Sequence, residues 1–158
     1  MTRSLYLASP LGFHEPGRHY LAAVLLPRLA DAGWRVLDPW VDEGGVVGTA
    51  LATPAGPERL AALTEMSRII GARNRRLLDE AAAVFAVLDG SDIDSGVAAE
   101  IGWAAARGTP VVGWRSDFRL AEHEASRINI QVEDFVVASG GRLVTDLDEA
   151  LAALDSLA

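Results

Sequence analysis

Residues 83–114 read AVFAVLDGSDIDSGVAAEIGWAAARGTPVVGW, and this stretch decides the fold. Its opening, AVFAVLDG (83–90), is apolar on consecutive positions, hence on both faces of an extended chain. A strand of that kind belongs inside a parallel sheet covered by helices on both sides. Ser95 to Arg107 continues as a helix ended by Gly108, and TPVVGW (109–114) is another apolar strand. Strand, helix and strand in that order predict an open α/β architecture with a parallel sheet.

The flanking sequence extends the pattern. SLYLAS (4–9) is a first strand, and Glu15-Pro16 suits a helix start, with proline in the first turn. Tyr20, Val24, Leu25 and Leu29 give that helix an apolar face, which Pro27 should kink and Gly33 should end. WRVLDPW (34–40) is the second strand. Residues 42–57, rich in Gly, Thr and Pro, predict a loop and a candidate lid over a site. From Pro57 to Ala83 the spacing of Leu60, Leu63, Ile70 and Leu77 is helical, with Gly71 as a dividing point. Beyond the polar segment RSDFRLAEHEASR (115–127), Gln131–Ala138 reads as a fifth strand, Gly140-Gly141 as a turn and Leu147–Leu157 as a last helix. With 158 residues, one domain over 1–158 is expected.

Composition narrows the function. A net charge of −8 argues against a nucleic-acid backbone or an anionic membrane as partner, while leaving room for a small neutral ligand. The chain has no cysteine, so thiolate nucleophiles, disulfides and Cys-ligated metals are ruled out. MTRSLYLASPLGF at the start has too short an apolar run for a signal core or a membrane span, so a cytoplasmic location is expected. The first strand leads into SPLGFH (9–14), which lacks the glycines that cradle a pyrophosphate and so disfavours a dinucleotide cofactor. His14, His19 and His123 are scattered, and none has metal-ligand spacing.

Within SGVAAEIGWAAA (95–106), Glu100 is the only charged side chain. Its neighbours are small or apolar and the Val97–Ile101–Ala104 stripe should face the sheet, so its carboxylate should lose hydration. Asp94 lies six residues before it, at the end of DGSDID (89–94). Two carboxylates in unlike environments suit acid and nucleophile chemistry at a sugar carbon. Asp94 reads equally as a helix cap, and Asp89 and Asp92 as a solvated acidic loop. Gly96 would let backbone approach a ligand. Ser9-Pro10, Asp38-Pro39-Trp40 and Asp89–Asp94 mark strand ends with polar or turn chemistry, where such sheets bind ligands. Phe13 reads as a base-stacking ring or a core aromatic. Asn129 and Gln131 share one face if their segment is extended, and their amides could read a hydroxyl or a base edge.

Taken together, LYLASPLGF (5–13), VLDPW (36–40), FAVLDGSDIDSGVAAEIGWAAARGTPVVGWRSDFR (85–119) and INIQV (128–132) resemble the nucleoside 2-deoxyribosyltransferase family. The D-S-G-x-x-x-E-I-G block is the most specific part of the likeness. The resemblance implies a doubly wound five-stranded parallel sheet, flavodoxin-like or Rossmann-like, and transfer of 2-deoxyribose between purine or pyrimidine bases without cofactor or metal. It implies a homo-oligomer, a dimer or trimer of dimers, whose sites are completed by a neighbouring subunit. By position, Glu100 matches the nucleophile that holds a covalent deoxyribosyl intermediate, with net retention. Asp94 matches the acidic residue placed to protonate the leaving base. Asn129 matches the asparagine lent by the neighbouring subunit, and Gln131 a second side chain from the same segment. Tyr6, Ser9 and Phe13 fall in the pocket-lining first-strand block, and Gly96 in the D-S-G motif.

The likeness departs at two positions. Many members carry an aspartate where this chain has Asn74, whose amide can hydrogen-bond a base but cannot deliver a proton as an acid does. A hydroxyl residue usually follows D-S-G, and here that position is Val97. Two other readings stay open: hydrolysis of the N-glycosidic bond of nucleosides or nucleotides, and a non-catalytic nucleoside-binding domain. A 5′-phosphate cradle would have to come from SPLGFHEPGR (9–18), which offers only Arg18 and the histidines.

Overall fold

Leu5 and Leu7 of the first strand point to one side of the sheet while Tyr6 and Ala8 point to the other, and the third strand divides Phe85 and Val87 from Val84 and Ala86 in the same way. All eight are buried, which is what consecutive apolar positions in a two-sided sheet require. Each large side chain removed from water contributes about 1.5–3 kcal/mol. The computed structural model describes residues 3–42 and 44–157. Its five strands, β1 (Arg3–Ala8), β2 (Trp34–Leu37), β3 (Ala83–Val87), β4 (Val111–Trp114) and β5 (Arg142–Val144), form one parallel sheet in the order β2-β1-β3-β4-β5.

One face is covered by the first helical region and by α7 (Leu147–Asp155). That first region runs through α1 (Glu15–Tyr20), a π-helical turn (Leu21–Leu25) and α2 (Leu26–Asp31). The widened turn directly precedes Pro27, which has no N–H for the next helical bond; this is the expected interruption. The opposite face carries α4 (Pro57–Glu80), α5 (Ser95–Ala106) and α6 (Ile130–Ala138). With helices on both faces, the described residues make a single doubly wound α/β domain. β1 connects toward β2 on one side, and the chain then returns to β3 on the other. The carboxyl ends of β1 and β3 therefore flank the switch point at which sheets of this type bind ligands.

Three expectations are corrected. Residues 131–138 are helical. Asn129 caps α6 by accepting the N–H groups of Gln131 and Val132, and Val132 and Val136, four apart, bury one helical face while Val137 stays exposed. The fifth strand is the three-residue Arg142–Val144 beyond the Gly140 turn (φ +84°), too short to show a period. Gly71 does not divide α4. The site is exposed and open, and a glycine there costs only about 1 kcal/mol against alanine, which 24 helical residues absorb. The 42–57 segment contains α3 (Val46–Ala52), where the Asp42 carboxylate accepts the N–H groups of Val47 and Gly48. Glu43, within that segment, and the chain-terminal Ala158 lie outside the described residues.

Candidate active site

Tyr6 is fully buried in β1 on the side that faces α5. Its hydroxyl donates to Glu100 Oε1 at 2.5 Å, joining two residues 94 positions apart. Glu100 sits half-buried on α5, next to the Val97, Ile101 and Ala104 stripe that packs on the sheet. Burial pushes its carboxyl up to about 7 from the ordinary 4.5; the Tyr6 hydrogen bond opposes this and the charge of Asp94 adds to it. The Tyr6 hydroxyl is pushed well above its ordinary range, first by burial and then by the charge and hydrogen bond of Glu100. The hydrogen bond keeps the proton on Tyr6 and favours the charged form of Glu100, but at Glu100 burial outweighs it. Near neutral pH Glu100 is thus poised between its two forms, the condition expected of a reactive carboxylate.

Asp94 is the N-cap of α5. Its Oδ1 accepts from Gly96 N at 2.9 Å and Val97 N at 3.1 Å, and no described residue bonds Oδ2. A Cβ at position 96 would lie 3.0 Å from that same Oδ1, so Gly96 leaves the carboxylate room. Capping and a chemical role coexist here, because Asp94, Gly96, Val97 and Glu100 all line one cavity of about 500 Å³. That volume suits a ligand of nucleoside size. Ser9, Phe13 and Asn74 line it as well. Phe13 is 68% exposed, which removes its reading as a core aromatic. The Oδ1 atom of Asn74 is buried and has no hydrogen-bond partner among the described residues.

Further residues complete the lining. Trp40 donates from its indole Nε1 to Ser9 O at 3.0 Å and takes the edge of Phe13 at a ring separation of 4.6 Å. It lies over Gly12, where a Cβ would come within 2.1 Å of the ring. Arg73 lines the cavity and donates to the carbonyls of Pro39 and Val41. Val46, Val47, Ile69 and Ile70 complete an apolar side. The strand-end signal Asp38-Pro39-Trp40 pointed to this wall, whereas nothing in the sequence singled out Arg73.

Asn129 and Gln131 do not share an extended face and do not line the cavity of their own chain. Asn129 Nδ2 donates to Glu122 at 2.8 Å, and Gln131 Nε2 to Asp134 at 3.3 Å. Asp89 has a structural task beyond solvation. It accepts from Ser116 N, Ser116 Oγ and Asp117 N at 2.6–2.8 Å, tying the loops after β3 and β4 together. Among the described residues, no group of three or more His, Asp or Glu is placed to hold a metal ion. At the first turn, the N–H groups of Leu11 and Gly17 are already taken by Ser9 Oγ and His14 Nδ1. No helix among the described residues is long and apolar enough to cross a membrane.

The chain matches the family described as nucleoside 2-deoxyribosyltransferase over residues 5–140. Among solved structures it is similar to a 2-deoxyribosyltransferase from Leishmania mexicana, at 19% identity and TM-score 0.66, covering 95% of each chain. It is also similar to the 2-deoxyribosyltransferase of Bacillus psychrosaccharolyticus, at 20% identity and TM-score 0.66, covering 98% of this chain and 95% of that one. A CMP N-glycosidase from Clostridium botulinum is a further structural neighbour, at 16% identity and TM-score 0.54, covering 98% of this chain and 99% of that one. At these identities the structural likeness is one of fold. Comparison with curated proteins gives no significant match.

Proposed function

The chain belongs to the nucleoside 2-deoxyribosyltransferase family, an enzyme family whose substrates are nucleosides and bases, and from that premise we propose that Glu100 is the nucleophile of a two-step transfer. In the first step a Glu100 carboxylate oxygen bonds to C1′ of a 2-deoxynucleoside. The C1′–N bond breaks with its electron pair going to the base, and Asp94 supplies the proton that base needs. In the second step a nitrogen of another base attacks C1′ and gives its proton to the Asp94 carboxylate, and the bond to Glu100 breaks with its electron pair returning to the carboxylate. Two displacements at one carbon give net retention. The observation that carries the reading is the half-buried Glu100, held by the Tyr6 hydroxyl at 2.5 Å at the edge of a nucleoside-sized cavity. Asn74 carries no acidic proton, and Asp94, the N-cap of the helix that bears Glu100, is taken as the acid.

N-glycosidic hydrolysis, with water in place of the second base, is the second reading; the fold shared with a CMP N-glycosidase favours it. The lining argues for unphosphorylated substrates. It carries Asp42, Asp94 and Glu100, and its one described cation, Arg73, is engaged by backbone carbonyls. A 5′-phosphate would meet repulsion there rather than a cradle. Incubating 2′-deoxyadenosine with excess hypoxanthine separates the two activities. The transferase reading predicts 2′-deoxyinosine; free adenine and deoxyribose alone would contradict it.

The proposal extends to a homo-oligomer of a cytoplasmic salvage enzyme, in which Asn129 and Gln131 face a neighbour's cavity. Phe118 (92% exposed), Leu120 and Ile130 leave apolar surface in the same stretch of chain, which a second copy would cover. Light scattering on the purified protein tests this; a monomer at assay concentration with full exchange activity would contradict it.

A further inference from the structure

The wall that carries Trp40 is irregular backbone, yet it is held from several sides. The Asp38 carboxylate accepts Trp40 N at 2.9 Å, Ser9 O accepts the indole N–H at 3.0 Å, and Gly12 lies beneath the ring. The remaining restraint comes from α4. Arg73 donates one guanidinium nitrogen to Pro39 O and another to Val41 O, the carbonyls on either side of Trp40. Its Nε is buried without a partner among the described residues. A cation in a cavity wall normally meets a carboxylate or an anionic ligand; here its two-pronged face is taken up by the backbone. The guanidinium is rigid and planar, so it holds two carbonyls in a fixed relative geometry that the rotating donors of an ammonium do not impose.

We propose that Arg73 is a positioning residue: by gripping the carbonyls on both sides of Trp40 it fixes the indole as a wall for the planar base, and so sets base affinity without taking part in bond breaking. This rests on the reading of the cavity as a nucleoside site. The charge of Arg73 also reaches Tyr6, where it acts against the upward push of burial, so the pH profile must be read alongside affinity.

The test is a double-mutant cycle of R73M and W40A, with R73K and W40F beside them. KM for 2′-deoxyadenosine and for hypoxanthine, kcat, the pH midpoint and Tm are measured for each. R73M and R73K are expected to raise both KM values about tenfold, with kcat within about threefold of wild type and the pH midpoint moved by less than about one unit. W40F, which keeps an aromatic face but loses the indole bond to Ser9 O, should raise KM less than W40A does, and adding R73M to W40A should cost little more. Should R73M fail to fold, R73K and the W40F–W40A pair carry the comparison. A fall in kcat with KM unchanged, additive effects in the cycle, or an unchanged KM in W40A would each overturn the proposal. Base release by the wild type without a new nucleoside would contradict the transferase reading alone, and the same KM comparison would then be read from base release.

Discussion

The floor of the cavity and its outer wall face the same ligand space but are held by different means. The floor is Glu100 on α5, backed by the fully buried Tyr6 of β1, which stands behind the cavity lining, and both elements are fixed by apolar packing and backbone hydrogen bonds. Its key hydrogen bond joins two side chains whose backbones cannot easily move. The wall, Pro39 to Val41, belongs to no regular element. It is held by Arg73, the Ser9 carbonyl and the Asp38 carboxylate. The floor thus keeps one reactive carboxylate in a constant environment, while the wall presents aromatic surface whose position can be retuned without disturbing the sheet. On the proposed mechanism, chemistry belongs to the first and base recognition to the second.

Substitutions can break that comparison in order of expected effect. E100Q should lower exchange at least about 10⁴-fold at pH 7, by loss of the nucleophile. It should also stabilise the fold. The folded carboxyl titrates at about 7 against an ordinary 4.5, so ionisation penalises the native state increasingly as pH rises between those values and fully above them. Thermal or urea unfolding should therefore find E100Q equal to wild type near pH 4 and more stable by roughly 2–3 kcal/mol at pH 8. Equal stability at both pH values would mean that the carboxylate is well solvated.

D94N comes next. Asparagine keeps the cap on α5 but carries no acidic proton, so kcat should fall about 10²–10³-fold with Tm nearly unchanged. A comparable loss of Tm would make Asp94 a cap alone. Y6F is smaller and tests the floor as a pair. The rising limb of kcat/KM, set by ionisation of Glu100, is expected near pH 7 in the wild type. Removing a donor to the charged form should move it upward by about one unit and lower kcat/KM about 10–100-fold at pH 7, less at pH 9. An unmoved limb would detach Tyr6 from the titration. The smallest change is expected at the wall. F13A should raise KM a few-fold, on the order of one lost edge contact to Trp40, and leave kcat alone. A large kcat effect from F13A would erase the division between floor and wall.

The same division governs what the sequence could reveal. The core strands were legible because burial on both faces leaves a continuous apolar run, and Glu100 because it is the one charge among small residues. Residues 131–138 misled because β-branched valines favour strands, and the deciding features, the Asn129 cap and the Val132–Val136 spacing, point to a helix only when read together. Arg73 was hidden because its partners are carbonyls, which every residue has. Tyr6 was placed in the pocket block by resemblance, but its bond to Glu100 depends on the packing of α5 against β1 and on no local pattern.

The central claim, that Glu100 holds the sugar, is tested most directly by mass spectrometry of enzyme quenched in acid after mixing with 2′-deoxyadenosine and no acceptor base. The account predicts a peptide spanning residues 95–107 heavier by one deoxyribosyl group, with the adduct on Glu100 and absent from E100Q. An adduct on another residue, or exchange at full rate in E100Q, would contradict it.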